Sequence, residues 1–139
     1  MERTAPAGRQ AFSLLTPVPR ELAGTGEWLP ITGLRLGCAR DCADARRVLP
    51  TSDTGDRPLH VTVTADGDVP AEGYTLAVEP GPDGPRATVR GADPAGAFYG
   101  VHTLRALLEE RAGHVPRVRV RDWPALTWRG TVEGFYGPP

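Results

Sequence analysis

The stretch LTWRGTVEGFYG near the C-terminus is where residue types and spacing come closest to chemistry. Glycine lets a backbone approach a ligand closely, and the flat faces of Trp128, Phe135 and Tyr136 suit a sugar ring. Packing into a core is the commoner use of such aromatics, and residue type alone leaves both readings open. Glycosidic-bond chemistry generally needs two acids flanking the scissile bond. Asp66 and Asp68 are expected in a turn and Glu109 and Glu110 on a helix surface, so neither pair is enclosed and no catalytic residue is assigned.

Other chemistries have less to build on. His60, His102 and His114 are expected on a strand, a helix and a loop, with no H-E-x-x-H or C-x-x-C beside them, so no metal site is assigned. Cys38 and Cys42 stand four apart. On a helix they would share a face and supply at most half of a zinc site, and two small, partly buried thiols in a reducing compartment is the better reading. The glycines of GADPAGAFYG open a helix without dinucleotide spacing, there is no G-x-x-x-x-G-K, and no cofactor is expected. Arg117, Arg119 and Arg121 share one strand face; they could grip an anion, although a solvated face is the commoner explanation.

Composition narrows the partners. The chain has 139 residues, a formal net charge of -1, 40% apolar and 24% charged residues, which suits one globular domain. Nucleic-acid binding calls for clustered cations that this balance does not supply. No stretch approaches the roughly 20 apolar residues of a membrane span, and the N-terminus lacks the apolar core of a secretory signal. Neither nucleic acid nor membrane is expected as a partner, and the expected location is the cytoplasm.

The elements that must position these residues follow from periodicity and punctuation. Residues 1–11 read as a loose polar tail. Leu59, Val61 and Val63 alternate with polar residues, as do Tyr74, Leu76 and Val78, and Val118 and Val120. The turn PGPDGP followed by RATVRG makes a hairpin with the Tyr74 strand. LPITGLRLG places Ile31, Leu34 and Leu36 in a first strand. Asp93 as N-cap, Pro94 in the first turn and Gly113 as stop bracket a long helix whose apolar stripe is Phe98, Val101, Leu104 and Leu108. A second helix is expected over Ala39 to Val48. About five strands in a mixed sheet, with about two helices on one face, define an α+β domain over residues 12–124. Residues 125–139 are then surplus to it.

FYGVHTLRALL, VPRVRVRDWPALTWRG and above all RGTVEGFYGPP resemble glycoside hydrolase family 84, the β-N-acetylglucosaminidases; LTPVPRE resembles that family's opening segment. The upstream part is similar to the small N-terminal domain shared with family 20 hexosaminidases. The resemblance implies a two-part enzyme, a small α+β domain followed by a (β/α)8 barrel. That barrel removes N-acetylglucosamine with retention, the substrate's acetamide being the nucleophile and two adjacent aspartates assisting it. No Asp-Asp pair occurs here, and a barrel needs about 250 residues. The expectation is therefore a non-catalytic N-terminal domain that ends in one orphan barrel strand, 125–139. By position Gly134 matches a glycine whose carbonyl contacts a sugar hydroxyl, and Tyr136 a tyrosine lining the pocket, while Arg129, Gly130 and Glu133 match structural supports. The family continues with a tryptophan where this chain stops at Pro139. Implied partners are a catalytic barrel, in cis or from a neighbouring chain, and an N-acetylglucosamine-containing glycan. A stand-alone carbohydrate-binding or protein-interaction module is the alternative.

Overall fold

A computed structural model of the chain describes residues 12, 14–15, 17–52 and 55–131. Among the described residues six strands form one mixed sheet: β1 (Glu21–Pro30), β2 (Leu34–Cys38), β3 (Leu59–Thr64), β4 (Tyr74–Glu79), β5 (Arg86–Gly91) and β6 (His114–Asp122). Their order across the sheet is β1-β6-β4-β5-β3-β2. β4 pairs antiparallel with both β5 and β6, and β6 with β1, while β3 runs parallel to β5 and β2. Two helices, α1 (Ala45–Val48) and α2 (Pro94–Glu110), complete an α+β domain.

The alternating residues of β3, β4 and β5 bury one side each: Leu59, Val61, Val63, Leu76, Val78 and Val89 are at most 2% exposed. Their partners on the other face stay wet, as period-two patterning over a single core requires. The expected hairpin is present, with Tyr74 opposite Gly91 and Glu79 opposite Arg86. β5 and β6 both oppose β4, so they run parallel to each other and need a crossover. α2 supplies it.

α2 begins as expected, the Asp93 carboxylate accepting from the Gly96 amide at 2.8 Å with Pro94 in the first turn. Its buried face differs from the expected stripe. Gly96, Ala97, Gly100, Val101, Leu104 and Leu107 face the core, whereas Phe98 is 37% exposed and Leu108 is half-buried. The cause is backbone contact. A Cβ on Gly100 would lie 2.6 Å from Val89 Cγ1 and 3.0 Å from the Tyr74 ring, and one on Gly96 would lie 2.0 Å from the Gly73 carbonyl oxygen. The helix rests on the sheet through its glycines, which turns Phe98 outward.

Three further expectations are corrected. β1 is an edge strand whose inner side, Leu22 and Trp28, packs on the core while Glu21, Ala23 and Thr25 are exposed, and it is irregular between Gly24 and Trp28; Ile31 lies between β1 and β2, and only Leu34 and Leu36 of the anticipated first strand are in one. The second helix is a 3-10 turn at Arg40–Cys42 followed by the single turn of α1, since Asp44 lies in helical space and caps nothing with its side chain. His114 opens β6 and is not in a loop. Ala125 to Thr131, the described part of the segment 125–139 expected to start a barrel strand, contains no strand; the rest of that segment lies outside the described residues.

Candidate functional site

The chain leaves the sheet after β6 through a built corner. Arg20 donates from Nε to the Trp123 carbonyl at 3.0 Å, and its amide donates to Asp122 Oδ1 at 3.1 Å. Two guanidiniums pack over the Trp123 ring, Arg20 at 4.6 Å and Arg121 at 5.0 Å from its centre. Such cation–π contacts fix an indole that hydrophobic burial alone would leave loose. Six residues on, Arg129 donates to the Leu126 carbonyl at 2.8 Å and to Glu72 Oε1 at 3.1 Å.

Glu72 is itself held under strain. Its φ is 59°, the left-handed region that non-glycine residues seldom occupy, and its amide donates to Asp93 Oδ2 at 2.8 Å. One carboxylate thus caps α2 through Oδ1 and secures the left-handed turn through Oδ2. The turn presents Glu72 to Arg129. Helix start, turn and exit segment are thus joined in series, by the Asp93 carboxylate and then by that of Glu72.

A shallow cavity of about 600 Å³ sits at this corner, lined among others by Arg20, Glu72, Tyr99, Trp123 and Arg129. Val18 (72% exposed) and Tyr99 (42%) line it too, and Leu126 (65%) and Trp128 (91%) are exposed on the segment that carries Ala125 and Arg129 along its wall. Phe98 extends the surface along α2, its ring edge-on to His102 at 4.5 Å. Beneath, Tyr74 is buried; its hydroxyl meets Thr103 Oγ1 at 2.6 Å and burial pushes its pKa up to about 12. Exposed apolar groups clustered in this way mark an interaction surface more often than a solvated one.

Of the residues singled out from sequence, Glu133, Gly134, Phe135 and Tyr136 lie outside the described residues, so no contact is assigned to them. Trp128 is exposed and not packed in the core. Arg117 pairs with Glu79 at 3.1 Å and Glu27 at 3.3 Å, Arg119 with Glu79 at 3.2 Å and Arg121 with Glu21 at 3.7 Å. Asp66 accepts from Thr64 Oγ1 and from Arg90, hydrogen bonds that hold its carboxyl below the ordinary range. Glu109 pairs with Arg105, and Glu110 accepts from the Leu14 amide at 2.6 Å. Sequence reasoning missed Arg20 and Glu72, whose partners Trp123 and Arg129 lie far along the chain; a lone Arg in VPRE and a Glu before Gly carry no periodic signal.

Cys38 ends β2 and Cys42 sits in the 3-10 turn, so the two do not share a helix face. Cys42 is buried, and desolvation, reinforced by the neighbouring Asp41 carboxylate, pushes its thiol up to about 11. Only thiolate reacts with alkylating reagents, so at pH 8 iodoacetamide labels Cys38 first and leaves Cys42 until the protein unfolds. Because the folded pKa lies above the ordinary 9.0, the stabilisation is fully present below pH 9 and is lost as pH rises towards 11. Urea midpoints at pH 8 and 10.5 should fall further apart in the wild type than in Cys42→Ala.

The architecture is that of a small α+β domain whose last strand leads into a hydrogen-bonded corner. Residues 15–123 match the family model described as glycosyl hydrolase family 20, domain 2. The chain belongs to that family. The Vibrio vulnificus β-hexosaminidase is 38% identical over 73 residues, which cover 52% of this chain and 8% of that protein. A solved family 20 β-N-acetylglucosaminidase is 30% identical with a TM-score of 0.60, over 81% of this chain and 23% of that one. The structure of CpGH84B is 20% identical with a TM-score of 0.67, over 93% of this chain and 26% of that one, a likeness of fold. This chain thus spans less than a tenth of the curated relative and about a quarter of each solved structure.

Proposed function

We propose that this chain is the non-catalytic N-terminal domain of a retaining β-N-acetylglucosaminidase, and that the barrel following it is of the family 84 kind. The observation that carries this reading is one of adjacency: the family 20 domain 2 match ends at Trp123, and R-G-T-V-E-G-F-Y-G begins six residues later at Arg129. The domain's work is mechanical. Arg20, Trp123, Glu72 and Arg129 set the direction in which the chain leaves, and Val18, Phe98, Tyr99, Leu126 and Trp128 form the apolar surface on which the barrel packs. Residues 125–139 supply that barrel's first strand, with Gly134 and Tyr136 reaching the sugar, and the acids that assist the acetamide come from the barrel.

The test is hydrolysis of 4-nitrophenyl N-acetyl-β-glucosaminide by the chain alone and by the chain together with the polypeptide encoded after it. The expected result is no turnover by the chain alone and turnover when the barrel is present. Hydrolysis by the chain alone overturns the non-catalytic assignment. Calorimetric binding of chitin oligomers by the isolated chain would instead favour a stand-alone carbohydrate-binding module.

A further inference from the structure

Among the described residues Glu72 is the one non-glycine residue of positive φ, at 59°. Glycine would occupy that position without strain. Nothing in the hydrogen bonding of the turn calls for a side chain there. The Glu72 amide donates to Asp93 Oδ2, the Gly73 amide to the Pro70 carbonyl and the Ala92 amide to the Gly73 carbonyl, so residues 70–73 take part through backbone atoms only. What the glutamate adds is a carboxylate, and that carboxylate meets Arg129 Nη2 at 3.1 Å. The two side chains are 38% and 37% exposed, and an exposed ion pair returns less stability than a left-handed non-glycine residue costs. Stability therefore does not account for the glutamate, and its position has to.

That position is fixed from both sides. A Cβ on Gly73 would lie 2.9 Å from the Asp122 carbonyl oxygen and 3.0 Å from Trp123 Cβ, so the turn is tucked without slack against the start of the exit segment. Arg129 uses its other amino group on its own chain, donating from Nη1 to the Leu126 carbonyl at 2.8 Å. One guanidinium thus ties the bend of the exit segment to the small domain. Gly134 and Tyr136 follow it by five and seven residues.

Resting on the reading that residues 125–139 supply the barrel's first strand, we propose that Glu72 is a positioning residue for the sugar pocket. Through Arg129 it holds the segment that carries Gly134 and Tyr136 at one fixed advance from the small domain. Advance matters in a strand, because a slip of one residue turns every side chain to the other face. Smaller errors matter too: misplacement by about 1 Å, caused far from the chemistry, can cost as much as a hundredfold. Groups that grip the sugar itself bind ground state and transition state alike, so their displacement is read in KM and not in kcat.

The test uses this chain joined to the polypeptide encoded after it, assayed on 4-nitrophenyl N-acetyl-β-glucosaminide. Glu72→Gly removes the carboxylate and the strain but keeps the backbone hydrogen bond to Asp93. KM should rise about tenfold and kcat change less than about twofold, while the melting temperature holds or rises. In an Arg129→Gln background the same substitution should change KM no further, since the carboxylate then has no guanidinium to hold. Glu109→Gln breaks an exposed ion pair on α2 instead and should leave both constants unchanged. If the joined protein does not turn over the substrate at all, the enzymatic reading fails and this proposal with it. If it does, and Glu72→Gly keeps the wild-type KM, the proposal alone is overturned. A rise in KM accompanied by a fall in melting temperature, or equally large in the Arg129→Gln background, gives Glu72 a merely structural role and overturns it as well.

Discussion

Gly96→Ala should destabilise the domain by about 3 kcal/mol, at the upper end of what overpacking costs. The added Cβ would stand 2.0 Å from the Gly73 carbonyl oxygen, 2.9 Å from its carbon and 3.1 Å from the Glu72 carbonyl carbon. All three are backbone atoms, so no side chain can rotate away. Relief requires α2 to lift from the Pro70–Gly73 turn, and that turn is already wedged: a Cβ on Gly73 would itself meet Asp122 O at 2.9 Å and Trp123 Cβ at 3.0 Å. For a domain of this size the loss corresponds to a fall in melting temperature of about 10 °C. Gly130→Ala is the control, because its Cβ meets nothing within 4 Å. A Gly96→Ala protein that melts with the wild type would mean that α2 does not sit this close to the turn.

Asp93→Ala removes two charge-assisted hydrogen bonds at once, those to the Gly96 and Glu72 amides. Loss of an N-cap costs about 1 kcal/mol and of a hydrogen bond to a charged group about 2 kcal/mol, giving about 3 kcal/mol together. Asp93→Asn distinguishes the roles. Its single side-chain oxygen can serve one amide while its NH2 faces the other, so it should recover about half the loss. A second readout reaches the exit corner. Without Asp93 the left-handed Glu72 loses its anchor, Arg129 loses its partner, and trypsin should cut after Arg129 faster relative to the exposed Arg47. Equal cleavage rates in Asp93→Ala and wild type would separate the helix cap from the exit corner and remove the mechanical link claimed between them.

These two substitutions lie where sequence reading was weakest. β3, β4, β5 and β6 were legible because each presents one face to a single core, and burial of that face forces period-two alternation. α2 was legible at its start because an Asp-Pro pair is a local signal whose mechanism, an accepted amide hydrogen bond, is completed within three residues. Its buried face was not legible. Phe98 and Leu108 satisfy helical spacing as well as Ala97 and Leu107 do, and spacing by itself is silent on which stripe meets the sheet. Gly96 and Gly100 decided it: glycine reads in sequence as a weak point of a helix, yet here it is where the helix can touch backbone and ring atoms.

The exit corner shows the same division over longer range. RGTVEGFYG, as a string, carried the family resemblance, and the positions it singled out, Gly134 and Tyr136, enter only through that resemblance. Nothing local marks Arg20 as the partner of Trp123, 103 residues away, or Glu72 as the partner of Arg129, 57 residues away. What sequence by itself determined about this chain is every feature set by neighbours within one turn or one pleat: alternation, the α2 cap, the hairpin between β4 and β5. Tertiary structure alone decided the edge strand β1, the outward turn of Phe98 and the carboxylate of Asp93 shared between helix and turn. Each of these depends on which strands come to lie side by side, and that order, β1-β6-β4-β5-β3-β2, is chosen by burial of the whole core and not by any segment within it.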